Sequence, residues 1–273
     1  MMKSSTPSIW TGSKRWSMFR YLPFKSKKED VRIRHRELKM LREAHHAPLT
    51  VVHISDLHLG FNYSYEDLLY HITLINQLHA DIIIISGDLF DNIDHYHNPE
   101  HLIPLLKTLK ATLGVFFAYG NHDQRIHQTE RISRLLAASD IRLLVNQGTV
   151  VHYDGEPIFI GGLDDIINSG GNVEQTLKQR HDDMLTFLIV HEPDYADFVR
   201  KFNVDMQFSG HTHGGQIRIP LIGAPVKPSL GMKYVQGMYN VGDMKLHVSP
   251  GLGTTHLPIR LFCRPEITCL HIS

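Results

Sequence analysis

From residue 48 onward, short uninterrupted apolar runs alternate with segments in which apolar residues recur every three or four positions. LTVVHI (Leu49–Ile54) and IIIIS (Ile82–Ser86) read as buried strands, and VFFAY (Val115–Tyr119) as a third. Between the first two, Leu68, Leu69, Ile72, Ile75 and Leu78 fall at helical spacing. The same spacing predicts helices around Leu102–Leu109 and Glu130–Ala138. Short strands are then expected at TVVHY, IFIGG, LTFLIV and DMQFS, and the chain closes with KLHVS and ITCLHI. Gln216 to Gly242 is rich in Gly and Pro and predicts a long ordered loop with at most a short strand. Strands alternating with helices indicate a layered α/β domain, and the run of short late strands implies a sheet that is partly antiparallel or mixed.

Polar residues cluster where these runs end. Ser55-Asp56-Leu57-His58 follows the first strand, Gly87-Asp88 the second and Gly120-Asn121-His122-Asp123 the third. His191 follows LTFLIV, and Gly210-His211-Thr212-His213 follows DMQFS. Sites in open α/β sheets form just beyond the carboxyl ends of strands. A single H-x-H means little in a chain with 20 histidines, as Asp94-His95-Tyr96-His97 shows by following no strand. Five strands tipped with Asp, Asn or His are a different matter. Within SGHTHGGQ, the glycines disfavour helix, and histidines two apart on extended chain face the same side, so His211 and His213 can share one space.

Composition narrows the chemistry. Lys+Arg and Asp+Glu balance at 28 each, which gives no whole-chain signal for nucleic acid or an acidic partner. Cys263 and Cys269 are the only cysteines, which excludes a disulfide scaffold and suits a reducing compartment, so the expected location is cytoplasmic. No run approaches the roughly 18 apolar residues of a membrane helix. The first 28 residues carry basic residues, no acid and both tryptophans, Trp10 and Trp16. Residues 1–48 therefore read as an arm outside the domain, with two readings of its basic part. One is a disordered tail; the other is contact with an anionic membrane surface, peripheral at the inner face. SKRWSMF lacks the second arginine of an export signal and no apolar core follows it, so export is not expected.

Imidazole nitrogen with carboxylate and amide oxygen, and no thiolate, suits Mn, Fe, Zn or Co. Asp56, His58, Asp88, Asn121, His191, His211 and His213 are too many for one open ion but fit two ions sharing a bridge. Asp88 is the natural bridge, because a carboxylate can offer oxygen to both ions.

Read in order, D-x-H, G-D, G-N-H-D, a lone H and G-H-x-H resemble the calcineurin-like metallophosphoesterases across residues 49–273. HGGQIRIPLIGAP and RLFCRPEIT further resemble the YkuE/YaeI-type branch. The resemblance implies a four-layer α/β/β/α sandwich of two mixed sheets flanked by helices. It implies that Asp56, His58 and His213 hold a first ion and Asn121, His191 and His211 a second, with Asp88 shared. The ions, Mn, Fe or Zn, would lower the pKa of a bridging water, and the resulting hydroxide would attack phosphorus in line. His122 would contact the phosphate or protonate the leaving oxygen, with Asp123 orienting it. Asp91 is open to the same role, with a turn or cap role as the alternative for both Asp123 and Asp91, whereas Asp164 and Asp165 read as strand-end turn residues. The implied activity is phosphoester or pyrophosphate hydrolysis, most simply of phosphodiesterase type, on a phosphorylated small molecule or lipid. The apolar, lysine-bearing segment after His213 keeps open a lipid-linked pyrophosphatase, such as the UDP-diacylglucosamine hydrolases that a resembling subset includes. A non-catalytic metal-binding scaffold is the contrasting class; such proteins lose ligand residues, and this chain has all of them.

Overall fold

The computed structural model describes residues 30–41, 47–125 and 129–273. The basic, aromatic segment 1–28, with both readings given to it, lies outside the described residues. Among the described residues, twelve strands form two six-stranded sheets. In chain order they begin with β1 (Arg32–Leu38), β2 (Leu49–Ile54), β3 (Ile82–Ile85), β4 (Gly114–Phe117) and β5 (Ile141–Leu143). There follow β6 (Gln147–Tyr153), β7 (Glu156–Gly162), β8 (Leu185–Ile189) and β9 (Met206–Ser209), then β10 (Gly237–Val241), β11 (Met244–Val248) and β12 (Glu266–Ile272). The helices are α1 (Tyr65–Asn76), α2 (Ile103–Leu106), α3 (Asn121–Gln124), α4 (Thr129–Ala138), α5 (Val173–Thr176) and α6 (Ala196–Val199).

The first sheet runs β1-β12-β2-β3-β4-β5 and the second β10-β11-β9-β8-β7-β6. Both are mixed: β2 through β5 are parallel and β12 is antiparallel to β2, while β7, β8, β9 and β11 are parallel and β6 and β10 antiparallel to their neighbours. The period-2 alternation of each strand divides its side chains between two apolar layers. Val51, Ile84 and Phe116 meet Ile160, Phe187 and Phe208 between the sheets. Val52, Ile83 and Phe117 face outward onto Leu68, Ile72 and Leu135 of α1 and α4, and Leu188 and Leu246 face Val173 and Val199 of α5 and α6. The result is the α/β/β/α sandwich. β3, whose four isoleucines are all buried, has apolar neighbours on both faces, which is why it lacks alternation.

Three features depart from the pattern. The expected helix over 102–109 is shorter: a 3₁₀ turn at Pro99–Leu102 leads into α2, which ends at Leu106. Within the Gly/Pro-rich segment, β10 is a short strand of the kind the sequence allowed, and it lies at the segment's end. Residues 32–38, placed by sequence in the arm, form an edge strand paired in parallel with β12, where Arg34 reaches Glu266 at 2.7 Å. RIRHREL has no apolar run to betray it; its exposed charges suit an edge, where they discourage further strand pairing. Cys263 and Cys269 are buried free thiols. Among the described residues, no helix is long and apolar enough to cross a membrane.

Candidate metal centre

The five polar strand ends converge at one edge of the sandwich. Gly87 makes this approach possible: with φ at +93°, it sits where a Cβ would fall 2.6 Å from the backbone N of Gly120 and from His191 Nδ1. Asp56, His58, Asp88, His211 and His213 all adopt left-handed φ values, between 49° and 70°. L-residues pay for that conformation, and its concentration here marks a site held in strained geometry. The strain is supported by backbone bonds, Asp56 N–H to Gly87 O at 3.0 Å and Leu57 N–H to Asp88 O at 2.9 Å.

Three groups of ligand-type atoms result: Asp56–His58–His213, His58–Asp88–His122 and Asp56–Asp88–His191, each with its donor atoms within 4.8 Å of one another. His58 Nε2 faces His213 Nε2 at 3.0 Å, and His213 Nε2 lies 3.6 Å from Asp56 Oδ1. Asp88 Oδ2 stands between the two halves, 3.4 Å from His58 Nε2 and 3.2 Å from His191 Nε2. His211 falls outside these groups, but its Nδ1 is 2.8 Å from Asn121 Oδ1 and its ring centroid 5.1 Å from that of His191. All seven expected ligand residues thus lie together beyond the strand ends.

Around them, each group is positioned. The His191 Nδ1–H donates to Ser86 O at 2.6 Å, which turns Nε2 toward the carboxylates. Asp56 accepts the His211 N–H at 2.9 Å and the Ser55 hydroxyl. His211 Nε2 meets Ser229 O at 2.7 Å. Arg260, buried, donates to the carbonyls of Gly251, Gly253 and His213 and so braces the last histidine from behind.

Electrostatics follow from burial. Desolvation pushes the Asp56 carboxyl up, and the nearby Asp88 charge adds to this against opposing histidines. Burial pushes Asp88 the same way, but the charge of His191 overcomes it and the pKa lies well below the usual carboxylate range. Burial lowers His211 to about 4 and takes His213 well below its ordinary value, so both are neutral imidazoles at pH 7.

Such a cluster needs cations. Asp56 and Asp88 are 0% and 2% exposed, yet no lysine or arginine pairs with either among the described residues. His191 Nε2 and His213 Nδ1 are buried with no hydrogen-bond partner. Close buried carboxylates whose neighbours are imidazoles rather than lysine or arginine are costly alone and suited to hold metal. The donors, nitrogen and oxygen without sulfur, fit transition-metal ions.

His122 and Asp123 divide differently from the sequence expectation. Asp123, 1% exposed, directs its carboxylate to the backbone N–H groups of Asp88 (2.7 Å), Leu89 (3.1 Å) and Gly120 (3.0 Å). Burial, with Asp88 adding, pushes it up to about 7. The carboxylate near His122 is Asp91, whose Oδ1 lies 3.5 Å from His122 Nδ1 and 3.2 Å from His58 Nδ1. His122 Nδ1–H donates to the Asp91 carbonyl at 3.1 Å, leaving Nε2 as its other ring nitrogen. Asp164 and Asp165 are turn residues as expected: Asp165 accepts the Asn168 N–H at 2.7 Å, and Asp164 accepts from Gln124. His95 and His97 are exposed and join no metal-type group among the described residues. Sequence reasoning missed Arg260, Ser86 and Ser229, two of which act through backbone carbonyls that no residue type announces. Beside His211 and His213 opens a pocket of about 310 Å³ whose wall includes Ile217, Val226, Pro228 and Leu257.

The profile of the family described as calcineurin-like phosphoesterase matches residues 49–215. The metallophosphoesterase YkuE of Bacillus subtilis (strain 168) is 39% identical over 219 residues, covering 80% of this chain and 77% of YkuE. A second Bacillus subtilis metallophosphoesterase, YkoQ, is 31% identical and covers 81% of this chain and 82% of its own. The phosphodiesterase YaeI of Escherichia coli (strain K12) is 28% identical, with 83% of each chain covered.

Proposed function

This chain belongs to the calcineurin-like phosphoesterase family, a family of phosphoric ester hydrolases, and from that membership we propose that it is a two-cation phosphohydrolase of phosphodiesterase type. Asp56, His58 and His213 would hold one ion and Asn121, His191 and His211 the other, with Asp88 shared; Mn, Fe and Zn all suit these donors. The observation that carries this reading is Asp88 Oδ2, poised 3.4 Å from His58 Nε2 and 3.2 Å from His191 Nε2. Bound cations supply Lewis acidity toward water and the phosphoryl oxygens. The protein supplies the rest. His122, oriented by Asp91, would present Nε2 to the phosphoryl group. When protonated on both ring nitrogens, it would pass the Nε2 proton to the leaving oxygen and be left as the neutral ring with its Nδ1–H on the Asp91 carbonyl. Asp123 fixes the loops bearing Asp88 and His122 so that these contacts stay in register. The domain runs from residue 49 to 273 and gains β1 as its edge strand.

A second reading, hydrolysis of a lipid-linked phosphate or pyrophosphate, is favoured by the apolar wall of the pocket beside His211. The test is metal analysis of the purified chain followed by assays on nitrophenyl mono- and diesters with added Mn²⁺. The expected result is two ions per chain and faster turnover of the diester. Full activity with one ion or none refutes the two-cation reading, and metal without activity on either ester favours a scaffold or a narrow lipid specificity.

A further inference from the structure

Of the ten large hydrophobic side chains exposed among the described residues, seven stand in one region. Ile219, Leu221, Ile222, Val226 and Met232 belong to the segment after His213, and Leu257 and Phe262 to the segment before β12. The two segments are joined, since Ile217 bridges to Leu261 and the Arg218 N–H donates to Leu261 O at 2.9 Å. Phe262 is therefore the neighbour of the Ile219–Gly223 hairpin.

This apolar surface is built outward. Ile219 and Gly223 exchange two backbone bonds of 2.8 Å, closing a hairpin with Leu221 at its tip. Leu221, at φ 69°, is fully exposed, and Ile222 is 74% exposed. The far end is anchored by Asp194, whose carboxylate accepts the N–H groups of Met232 (2.8 Å), Lys233 (3.1 Å) and Tyr234 (3.0 Å). Held at both ends, the segment cannot fold these side chains into the core. Large exposed apolar patches on a soluble domain mark an interaction surface.

Charge identifies the occupant. Residues 206–242 and 244–265 contain no Asp or Glu. Arg218 lies between Ile217 and Ile219, Lys227 follows Val226, and Arg264 lies two residues past Phe262. The nearest carboxylates, Asp194 and Asp197, are confined to the Met232–Lys233 end and engaged there. Protruding aliphatic and aromatic residues flanked by Arg218, Lys227 and Arg264 match an anionic lipid surface, where apolar tips enter the headgroup boundary and cations meet phosphates. A second copy of the chain would set like charges against one another across its two-fold axis. The patch also continues into the pocket beside His211 and His213, through Val226 and Leu257.

We propose that the Ile219–Met232 loop and Phe262 form a docking surface for an anionic membrane, which brings a phosphorylated amphiphile to the metal centre from the lipid side. The link to the centre rests on the phosphohydrolase reading above; the docking itself does not. Three chains are compared: wild type, the exposed-loop variant Leu221→Ser/Ile222→Ser/Phe262→Ser, and one with the Lys and Arg of residues 1–28 replaced by serine. Each is co-sedimented with vesicles of phosphatidylglycerol and phosphatidylcholine, and with phosphatidylcholine alone. Circular dichroism melting checks folding, and hydrolysis of a soluble nitrophenyl diester checks the centre. Wild type should bind anionic vesicles, and the loop variant at least tenfold more weakly, with unchanged melting and unchanged soluble-ester turnover. Absence of wild-type binding, equal binding by the loop variant, or binding lost only in the arm variant overturns the proposal. So does a wild-type dimer that the loop substitutions convert to monomer. Failure of soluble-ester turnover with vesicle binding intact counts against the phosphodiesterase reading alone and leaves the docking surface standing.

Discussion

The Asp123 carboxylate accepts the backbone N–H of Asp88 at 2.7 Å, tying the end of one strand to the loop after the next. With Leu89 and Gly120 added, one side chain satisfies three N–H groups at the floor of the centre. Each buried N–H left unmade costs about 1–3 kcal/mol. Asp123→Ala is expected to lower unfolding free energy by on the order of 2–4 kcal/mol, allowing for partial relaxation. Denaturation in urea measures it. A variant within about 0.5 kcal/mol of wild type, the range of ordinary surface changes, would show that the loops hold without this staple.

His122 and its neighbours should separate chemistry from metal retention. His122→Ala is expected to keep both ions and slow hydrolysis by about 10²–10⁴, the range for one proton-transfer group. The loss should be smaller for esters with good leaving groups, which need less protonation. Asp91→Asn removes a carboxylate that neighbours both His122 and His58, and is expected to cost about 10–100-fold in metal affinity or activity. His58→Ala, Asp88→Asn and His211→Ala should instead abolish turnover together with metal content. Elemental analysis alongside kinetics distinguishes the two classes, and metal loss in His122→Ala would move that residue among the ligands.

What could be read from the sequence followed from how much of each signal is local. The strands LTVVHI, IIII and LTFLI declare themselves because burial demands apolar runs, and the residues at their ends inherit a common edge. β1 does not, since RIRHREL is an edge strand whose pairing depends on β12, more than 200 residues away. The ligand positions were legible as residue types, whereas their left-handed backbone was not: L-residues give no warning of φ near 50°. Asp123 shows the same limit. Its place beside His122 in the chain suggested that it orients the ring, yet on the short helix α3 its side chain turns back to the backbone and Asp91 approaches the ring from another loop.

Between the sheets, His53 and His247 meet at 2.7 Å through their Nδ1 atoms, with His53 Nε2 on the Ser86 hydroxyl at 2.8 Å. Burial lowers His247 to about 3, and burial with the neighbouring His247 takes His53 well below its ordinary value. Both gain protons on unfolding, so their contribution is fully present above about pH 6.5 and is lost as the pH falls below it. For His247 alone the loss between pH 7 and pH 5 is on the order of 2 kcal/mol. Urea unfolding of wild type and His247→Leu at both pH values should show the smaller drop in the variant. Equal drops would assign acid sensitivity to other groups.

Removal of the cations should be felt in stability as well as turnover. Asp56 and Asp88 are buried together, and two imidazole nitrogens face each other at 3.0 Å between His58 and His213. Without bound ions that arrangement is held by the fold against its own electrostatics; with them it becomes a binding site that only the folded chain presents. Ligand present at about 100 times its dissociation constant adds roughly 2.7 kcal/mol per site. Dialysis against a chelator is therefore expected to lower the melting temperature by several degrees for each ion removed, and added Mn²⁺ to restore it. His58→Ala should melt at a temperature that depends much less on chelator, because one ligand set is already broken. A wild-type melting temperature indifferent to chelator and to Mn²⁺ would mean that these seven residues do not hold metal.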